Sequence, residues 1–182
     1  MNELNLFPTT VYTETYKCSF LLNDIYKVQE IDSGVSISNM NGWQSHAYEY
    51  NSHEFMKATL DDLINKMIPI YYQFGLGIPK VSNYWFNINK KDSFNTAHNH
   101  PHSYFSGVLY VKAPEDSGSL VFERPDMLQD YIVPVRNTEK NYRSWQINPQ
   151  ENMLILFPAW LYHYVEPNNS NNDRVSIALN FI

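Results

Sequence analysis

Four of the six histidines fall in two stretches of the chain. His98, His100 and His102 alternate through Asn95-Thr96-Ala97-His98-Asn99-His100-Pro101-His102, and His163 closes the run Phe157-Pro158-Ala159-Trp160-Leu161-Tyr162-His163. Residues i, i+2 and i+4 of a strand point to one face, so the first three could project together. Neutral imidazole is a ligand for iron, zinc, copper or nickel. Two imidazoles two residues apart on a strand can grip one ion if a third ligand arrives from elsewhere, and His163 lies in another strand-like run. An isolated H-x-H pair is a weak sign, because a histidine in an aromatic-rich strand is more often a structural residue. Its company strengthens it. The polar run leads straight into Ser106-Gly107-Val108-Leu109-Tyr110-Val111, and His163 is followed after a turn by Asp173-Arg174-Val175-Ser176-Ile177-Ala178-Leu179-Asn180-Phe181.

Such residues need a frame to position them. The 182 residues suit a single domain, with 1–79 as a helical supporting region and 80–182 as the core that carries the candidate residues. Hydrophobic residues make up 43% and charged residues 18%, which argues against a disordered chain. Aromatics reach 15%, a composition that favours strands. Met56, Leu60, Leu63, Ile64, Met67, Ile68 and Tyr71 form one apolar helical stripe, capped by Ser52 and stopped by Gly75 and Gly77. That stripe is better explained by packing on a sheet than by a partner. A weaker helix covers Leu21 to Gln29. From Lys80 the texture predicts strands at 80–89, 94–102, 104–113, 119–123, 130–136, 142–147, 153–157, 161–166 and 173–181, punctuated by turn residues. Many short strands at near-regular spacing predict a mainly β sandwich or jelly roll with the N-terminal helices packed on its outside.

Composition also excludes function classes. A net charge of −6 gives no field for gripping phosphate backbones, so no nucleic-acid partner is expected. No apolar run approaches a membrane span, and the start lacks the basic and apolar regions of a signal peptide, so a cytoplasmic protein is expected. The single cysteine, Cys18, rules out an internal disulfide and a cysteine-based zinc cage, and nothing around it suggests an activated nucleophile. There is no G-x-G-x-x-G, P-loop, G-x-S-x-G or C-x-x-C motif. Exposed aromatic surface would favour a homodimer.

The histidine run, the Phe-Pro-x-x-x-x-His pattern and the Arg174 block together resemble the 2-oxoglutarate/Fe(II)-dependent oxygenases, particularly the prolyl-hydroxylase-like group and its small bacterial and phage members. The resemblance covers about residues 80–182, and Asn5-Leu6-Phe7-Pro8-Thr9 looks like the start of those small members. It implies a double-stranded β-helix of cupin-like, jelly-roll form. It also implies a dioxygenase that takes Fe(II), 2-oxoglutarate and O2, with ascorbate as an optional reductant, and that hydroxylates a C–H while releasing succinate and CO2. In that family an H-x-D/E pair and a distal His bind iron, and an Arg beyond the distal His binds the far carboxylate of 2-oxoglutarate. Carried over, His163 is the distal ligand, Arg174 the co-substrate clamp through its planar fork, and Ser176 its neighbour. Tyr110 matches a tyrosine that donates to the co-substrate. Ser106 would flank it, and Asn87 and Asn180 would line the pocket as polar contacts. The less favoured alternative for Tyr110 is a core aromatic.

The acidic ligand is missing, since position 100 is His. Two accounts compete: three imidazoles from His98, His100 and His163, or one of His98 and His100 with water or a remote acid, Asp126 or Glu123. The first is preferred. His102 is then a substrate-facing or loop residue; a pair displaced to His100 and His102 is the less favoured register. Trp85, Trp145 and Trp160 are expected as core or pocket wall, and Gly107 as relief where a strand passes the site. Substrates expected from the resemblance are a protein or peptide side chain or a small metabolite. The alternatives are a cupin-like metal enzyme that does not use 2-oxoglutarate, or a non-catalytic binding protein on the same scaffold.

Overall fold

A computed structural model describes residues 1–182, the side chain of Gln129 apart. Along the chain run β1 (Tyr12–Thr15), a 3-10 turn (Ser19–Leu21), α1 (Leu22–Ile31), β2 (Asn39–Met40), β3 (Trp43–Gln44), α2 (Glu54–Gln73), β4 (Val81–Asn89), β5 (Phe94–His98) and β6 (Phe105–Lys112). There follow β7 (Leu120–Glu123), α3 (Leu128–Tyr131), β8 (Ser144–Ile147), β9 (Met153–Pro158), β10 (His163–Val165) and β11 (Arg174–Phe181). The strands form a six-stranded sheet, ordered β1-β9-β6-β11-β4-β3, and a five-stranded sheet, ordered β2-β5-β10-β7-β8. The pairings are antiparallel. Among the described residues no helix is long and apolar enough to cross a membrane.

The alternation of β4 decides which face does what. Tyr84, Phe86 and Ile88 point to one side and are buried; Asn83, Trp85, Asn87 and Asn89 point to the other. On β11, Val175, Ile177, Leu179 and Phe181 share the apolar side, and Arg174, Ser176, Ala178 and Asn180 the opposite one. The apolar side packs with Leu21, Ile25 and Val28 and with Met56, Leu60, Leu63, Met67 and Tyr71 in one continuous core. Burying each such aliphatic side chain is worth about 1.5–3 kcal/mol, so the two helices anchor the larger sheet from outside. The polar side turns inward, towards the smaller sheet. A second cluster, Tyr110, Leu120, Phe122, Ile155, Phe157 and Leu161, joins the two sheets.

Several local expectations differ from the fold. Segment 130–136 is not a strand; Leu128–Tyr131 is a short helix, and Val133 and Val135 are fully exposed. Its β-branched composition reads as strand, but Pro134 has no N–H for a ladder. The strand expected over 94–102 stops at His98, and His102 lies beyond it with φ +68°. Helix α2 starts after His53 without a side-chain cap; the Ser52 hydroxyl instead accepts from the Glu49 N–H at 3.0 Å. Ile68 falls off the stripe and is half exposed. Gly75 does end the helix, at φ +66°, where the Leu76 N–H reaches back to the Tyr71 carbonyl at 2.9 Å. The short strands β1, β2 and β3 lie in the region read as helical.

Candidate active site

A cavity of about 470 Å³ lies between the sheets, lined by the inward side of β4, β6 and β11 and by β5 and β10. The pairing of β5 with β10 sets His98 directly opposite His163, with ring centroids 4.4 Å apart. His100 reaches the same point from the turn after β5, because its N–H donates to the Ala159 carbonyl at 2.9 Å. Its ring centroid is 5.1 Å from each of the other two imidazoles. One ligand atom from each of His98, His100 and His163 falls within 4.8 Å of the others. Two donors about 2.1 Å from one ion lie roughly 3–4 Å apart, and His100 Nε2 and His163 Nε2 are separated by 3.3 Å. His102 is exposed and outside this group, so a His100–His102 pair is not what the fold builds.

Backbone carbonyls set two of the tautomers. His98 Nδ1 lies 2.7 Å from the Thr96 oxygen and His163 Nδ1 2.9 Å from the Leu161 oxygen. A carbonyl only accepts, so each Nδ1 carries the proton and each Nε2 keeps its lone pair. Burial pushes His100 down to about 3, reinforced by His163 and His98. Burial and then His98 push His163 down to about 4, against the pull of the Leu161 carbonyl. Burial lowers His98 as well. The group is therefore neutral near pH 7, the form that binds metal.

Arg174 opens β11 and is 1% exposed. Its Nη1 donates to the carbonyls of Ser117, Gly118 and Glu166. Gly118 makes this cage possible: it has φ +83°, and a Cβ there would strike the Glu166 and Pro167 carbonyls. Nη2 is buried and has no partner. Hence the end-on fork of the two terminal nitrogens is not open to a ligand, and the planar fork expected of Arg174 is left with its side-on pair, Nε and Nη2. Across the ladders, Gln44, Asn87, Ser176 and Tyr110 form one row, and Asn89 stands opposite Arg174. Tyr110 lines the cavity, and burial pushes its phenol up to about 12 against the opposing effect of Arg174, so it stays protonated and able to donate.

Other expected positions fall elsewhere. Ser106 and Asn180 share the inward face but lie beyond the cavity wall. They are spent on each other: the Ser106 hydroxyl donates to Asn180 Oδ1 at 2.7 Å, and Asn180 Nδ2 donates to Asn83 Oδ1 at 2.9 Å. Through this chain they hold Asn83, which does line the cavity. Glu123 and Asp126 are away from the cavity, and Asp126 is engaged by Arg124 at 2.5 Å. Gly107 relieves crowding on its helix-facing side, where a Cβ would lie 2.8 Å from Leu156. Trp85 forms cavity wall, its ring 5.6 Å from that of His100. Trp145 and Trp160 are each 53% exposed and off the cavity. Cys18 is buried on the helix side, with its thiol pushed up to about 12 by burial and then by Glu151. Sequence reasoning missed Asn89, Gln44, Asn95 and Asn99 on the wall. Alternation in Asn83-Tyr84-Trp85-Phe86-Asn87-Ile88-Asn89 was the available signal for Asn89.

Residues 83–180 match the family model described as "Putative 2OG-Fe(II) oxygenase". The chain belongs to the 2OG-Fe(II) oxygenase family. It is a 2-oxoglutarate-dependent oxygenase. A comparison with curated proteins gave no match. Among solved structures, the Pseudomonas putida prolyl-4-hydroxylase superposes with a TM-score of 0.68 at 14% identity, over 95% of this chain and 92% of that one. HygX from Streptomyces hygroscopicus, solved with nickel, 2-oxoglutarate and hygromycin B, gives 0.64 at 11% identity, over 95% and 82%. A Trichoplax adhaerens prolyl hydroxylase, solved with a hypoxia inducible factor peptide fragment, gives 0.65 at 13% identity, over 94% and 83%. Such identities establish the fold, a double-stranded β-helix with helices outside. The residues of this oxygenase suit the groups its family uses. Three neutral imidazoles converge, and a buried guanidinium nitrogen lacks a partner where a carboxylate would supply one.

Proposed function

We propose that His98, His100 and His163 hold Fe(II), and that Arg174, with Tyr110, Ser176 and Asn87, holds 2-oxoglutarate. The product is a hydroxylated C–H on a peptide side chain or a small metabolite, formed with succinate and CO2. When bound, the iron and 2-oxoglutarate supply the oxidising chemistry that no protein side chain offers. The observation that carries the reading is the meeting, in one cavity, of a neutral imidazole triad and a buried Arg174 with an unpaired Nη2. A buried donor without a partner is costly, so a ligand acceptor is the natural complement.

The chain's own residues act by binding, orienting and excluding water. The Thr96 and Leu161 carbonyls hold His98 and His163 with Nε2 free. Phe157, with its ring 4.7 Å from that of His163, and Phe122, at 6.0 Å, close one side of the triad to solvent. The neutral Tyr110 phenol can donate to an oxygen of the co-substrate without bringing a second negative charge. The cavity exceeds what one dicarboxylate fills, and its further wall of Asn83, Asn95, Asn99 and Trp85 leaves space for a substrate. Solved structures of this fold carry hygromycin B or a peptide fragment, and the hydrogen-bonding wall of this cavity suits a neutral peptide or metabolite.

The test is anaerobic titration with Fe(II) and then 2-oxoglutarate, followed by uncoupled succinate formation in air. The expected result is one iron per chain, a charge-transfer absorbance on adding 2-oxoglutarate, and loss of succinate in both His163→Ala and Arg174→Ala. Turnover that persists in Arg174→Ala but not in His163→Ala would instead mark a metal enzyme indifferent to 2-oxoglutarate.

A further inference from the structure

We infer that Asn89 is a second co-substrate-binding residue, supplying beside Arg174 a donor for the distal carboxylate of 2-oxoglutarate; this rests on the function proposed above. Arg174 cannot bind that group with both terminal nitrogens. Its Nη1 is already committed to the backbone carbonyls of Ser117, Gly118 and Glu166, leaving Nη2 unpartnered. A carboxylate has about four lone-pair sites, so even the side-on pair of Nε and Nη2 leaves acceptor positions for a further donor in a site from which water is largely excluded.

Asn89 stands directly opposite Arg174 in the β4–β11 ladder, on the same inward face, where cross-strand side chains are neighbours. It is 2% exposed, it lines the cavity, and its Nδ2 is buried with no partner. No hydrogen bond from the protein fixes its amide, so nothing but packing opposes turning Nδ2 to a ligand. Space for the amide comes from Gly42, where a Cβ would lie 2.7 Å from Nδ2. Two adjacent donors, both buried and both unpaired, are what a carboxylate completes. Asn87, by contrast, sits opposite Ser176, one row further along.

The experiment is calorimetric titration of anaerobic Fe(II)-loaded protein with 2-oxoglutarate and, separately, with pyruvate, which lacks the distal carboxylate. Asn89→Leu should weaken 2-oxoglutarate binding about tenfold, the loss of one hydrogen bond to a charged group. Asn89→Asp should weaken it further by setting like charges together. Pyruvate and Fe(II) affinities should stay as in the wild type. Asn89→Ser serves if the leucine variant fails to fold. Wild-type affinity for 2-oxoglutarate in Asn89→Leu or Asn89→Ser, or an equal loss for pyruvate, overturns the assignment. Arg174→Met separates the two levels. If it alone weakens 2-oxoglutarate binding, only Asn89 is misassigned; if neither variant does, the function proposed above falls as well.

Discussion

Lowering the pH from 7 to 5 should destabilise the metal-free protein by about 4 kcal/mol, through the histidine triad. The folded-state values of His100 and His163, about 3 and about 4, lie below the ordinary 6.5. The unfolded chain therefore binds more protons than the folded one between those limits, and stability falls as pH falls through that window. At pH 5 an imidazole with the ordinary value is about 97% protonated when unfolded, while both buried rings remain mostly neutral. Keeping one ring neutral then costs about 2 kcal/mol, against almost nothing at pH 7, which gives roughly 4 kcal/mol for the pair. In a chain of this size that corresponds to a drop in melting temperature on the order of 10 °C. The assay is thermal unfolding of the metal-free protein, followed by circular dichroism at both pH values. The double variant His100→Asn/His163→Gln serves as the reference, because it retains every other titrating group, including His53, which burial also lowers. Its fall should be smaller by about 4 kcal/mol. If wild type and variant lose stability equally, the triad is not buried and neutral as described.

Two further perturbations probe how the site is held. Gly118→Ala puts a side chain at φ +83° and against the Glu166 and Pro167 carbonyls. It should lower the melting temperature and, by disturbing the carbonyls around Arg174, weaken 2-oxoglutarate binding more than pyruvate binding; unchanged titrations would show that the carbonyl cage does not position Arg174. Trp85→Phe should remove most of the fluorescence quenching caused by Ni(II) binding, since Trp85 is the indole against His100 and the other three, Trp43, Trp145 and Trp160, lie off the cavity. Full quenching in the variant would place the metal elsewhere.

The parts of this molecule legible in the sequence are those where one period governs a long run. The alternation of β4, β6 and β11 and the stripe of α2 are carried by many residues each, so a single exception such as Ile68 does not obscure them. The triad was legible for a partly mistaken reason. His98, His100 and His102 share a parity, but only His98 belongs to the strand, and His100 is brought in by a backbone bond to Ala159, a residue of a distant turn. No local pattern encodes that bond. Ser106 and Asn180 illustrate the complementary limit. Parity gives their face correctly, yet not their depth along it, and they end up one row beyond the cavity, tied to each other and to Asn83. Segment 130–136 shows propensity without a partner: β-branched residues form a strand only where a neighbouring edge is free to accept them.

The missing carboxylate at position 100 is intelligible from what surrounds that position. The His100 ring lies against Trp85, Phe157 and the two other imidazoles, at centroid separations of 5.6, 6.4, 5.1 and 5.1 Å. None of these groups offers an N–H in a geometry that already serves position 100, so an ionised carboxylate there would be buried with little hydrogen bonding before metal arrives. An imidazole avoids that cost by remaining neutral. The consequence is that the donor set brings no negative charge, and Arg174 is the only Asp, Glu, Lys or Arg among the described lining residues. Metal held at this triad would be held by imidazole lone pairs alone, for which protons compete directly. An acidic ligand with an ordinary value near 4 would still bind at pH 5, whereas free imidazole is already losing ground there. What protects this site is burial: by holding His100 and His163 far below 6.5, the fold keeps the lone pairs available at a pH where exposed histidines would have surrendered theirs.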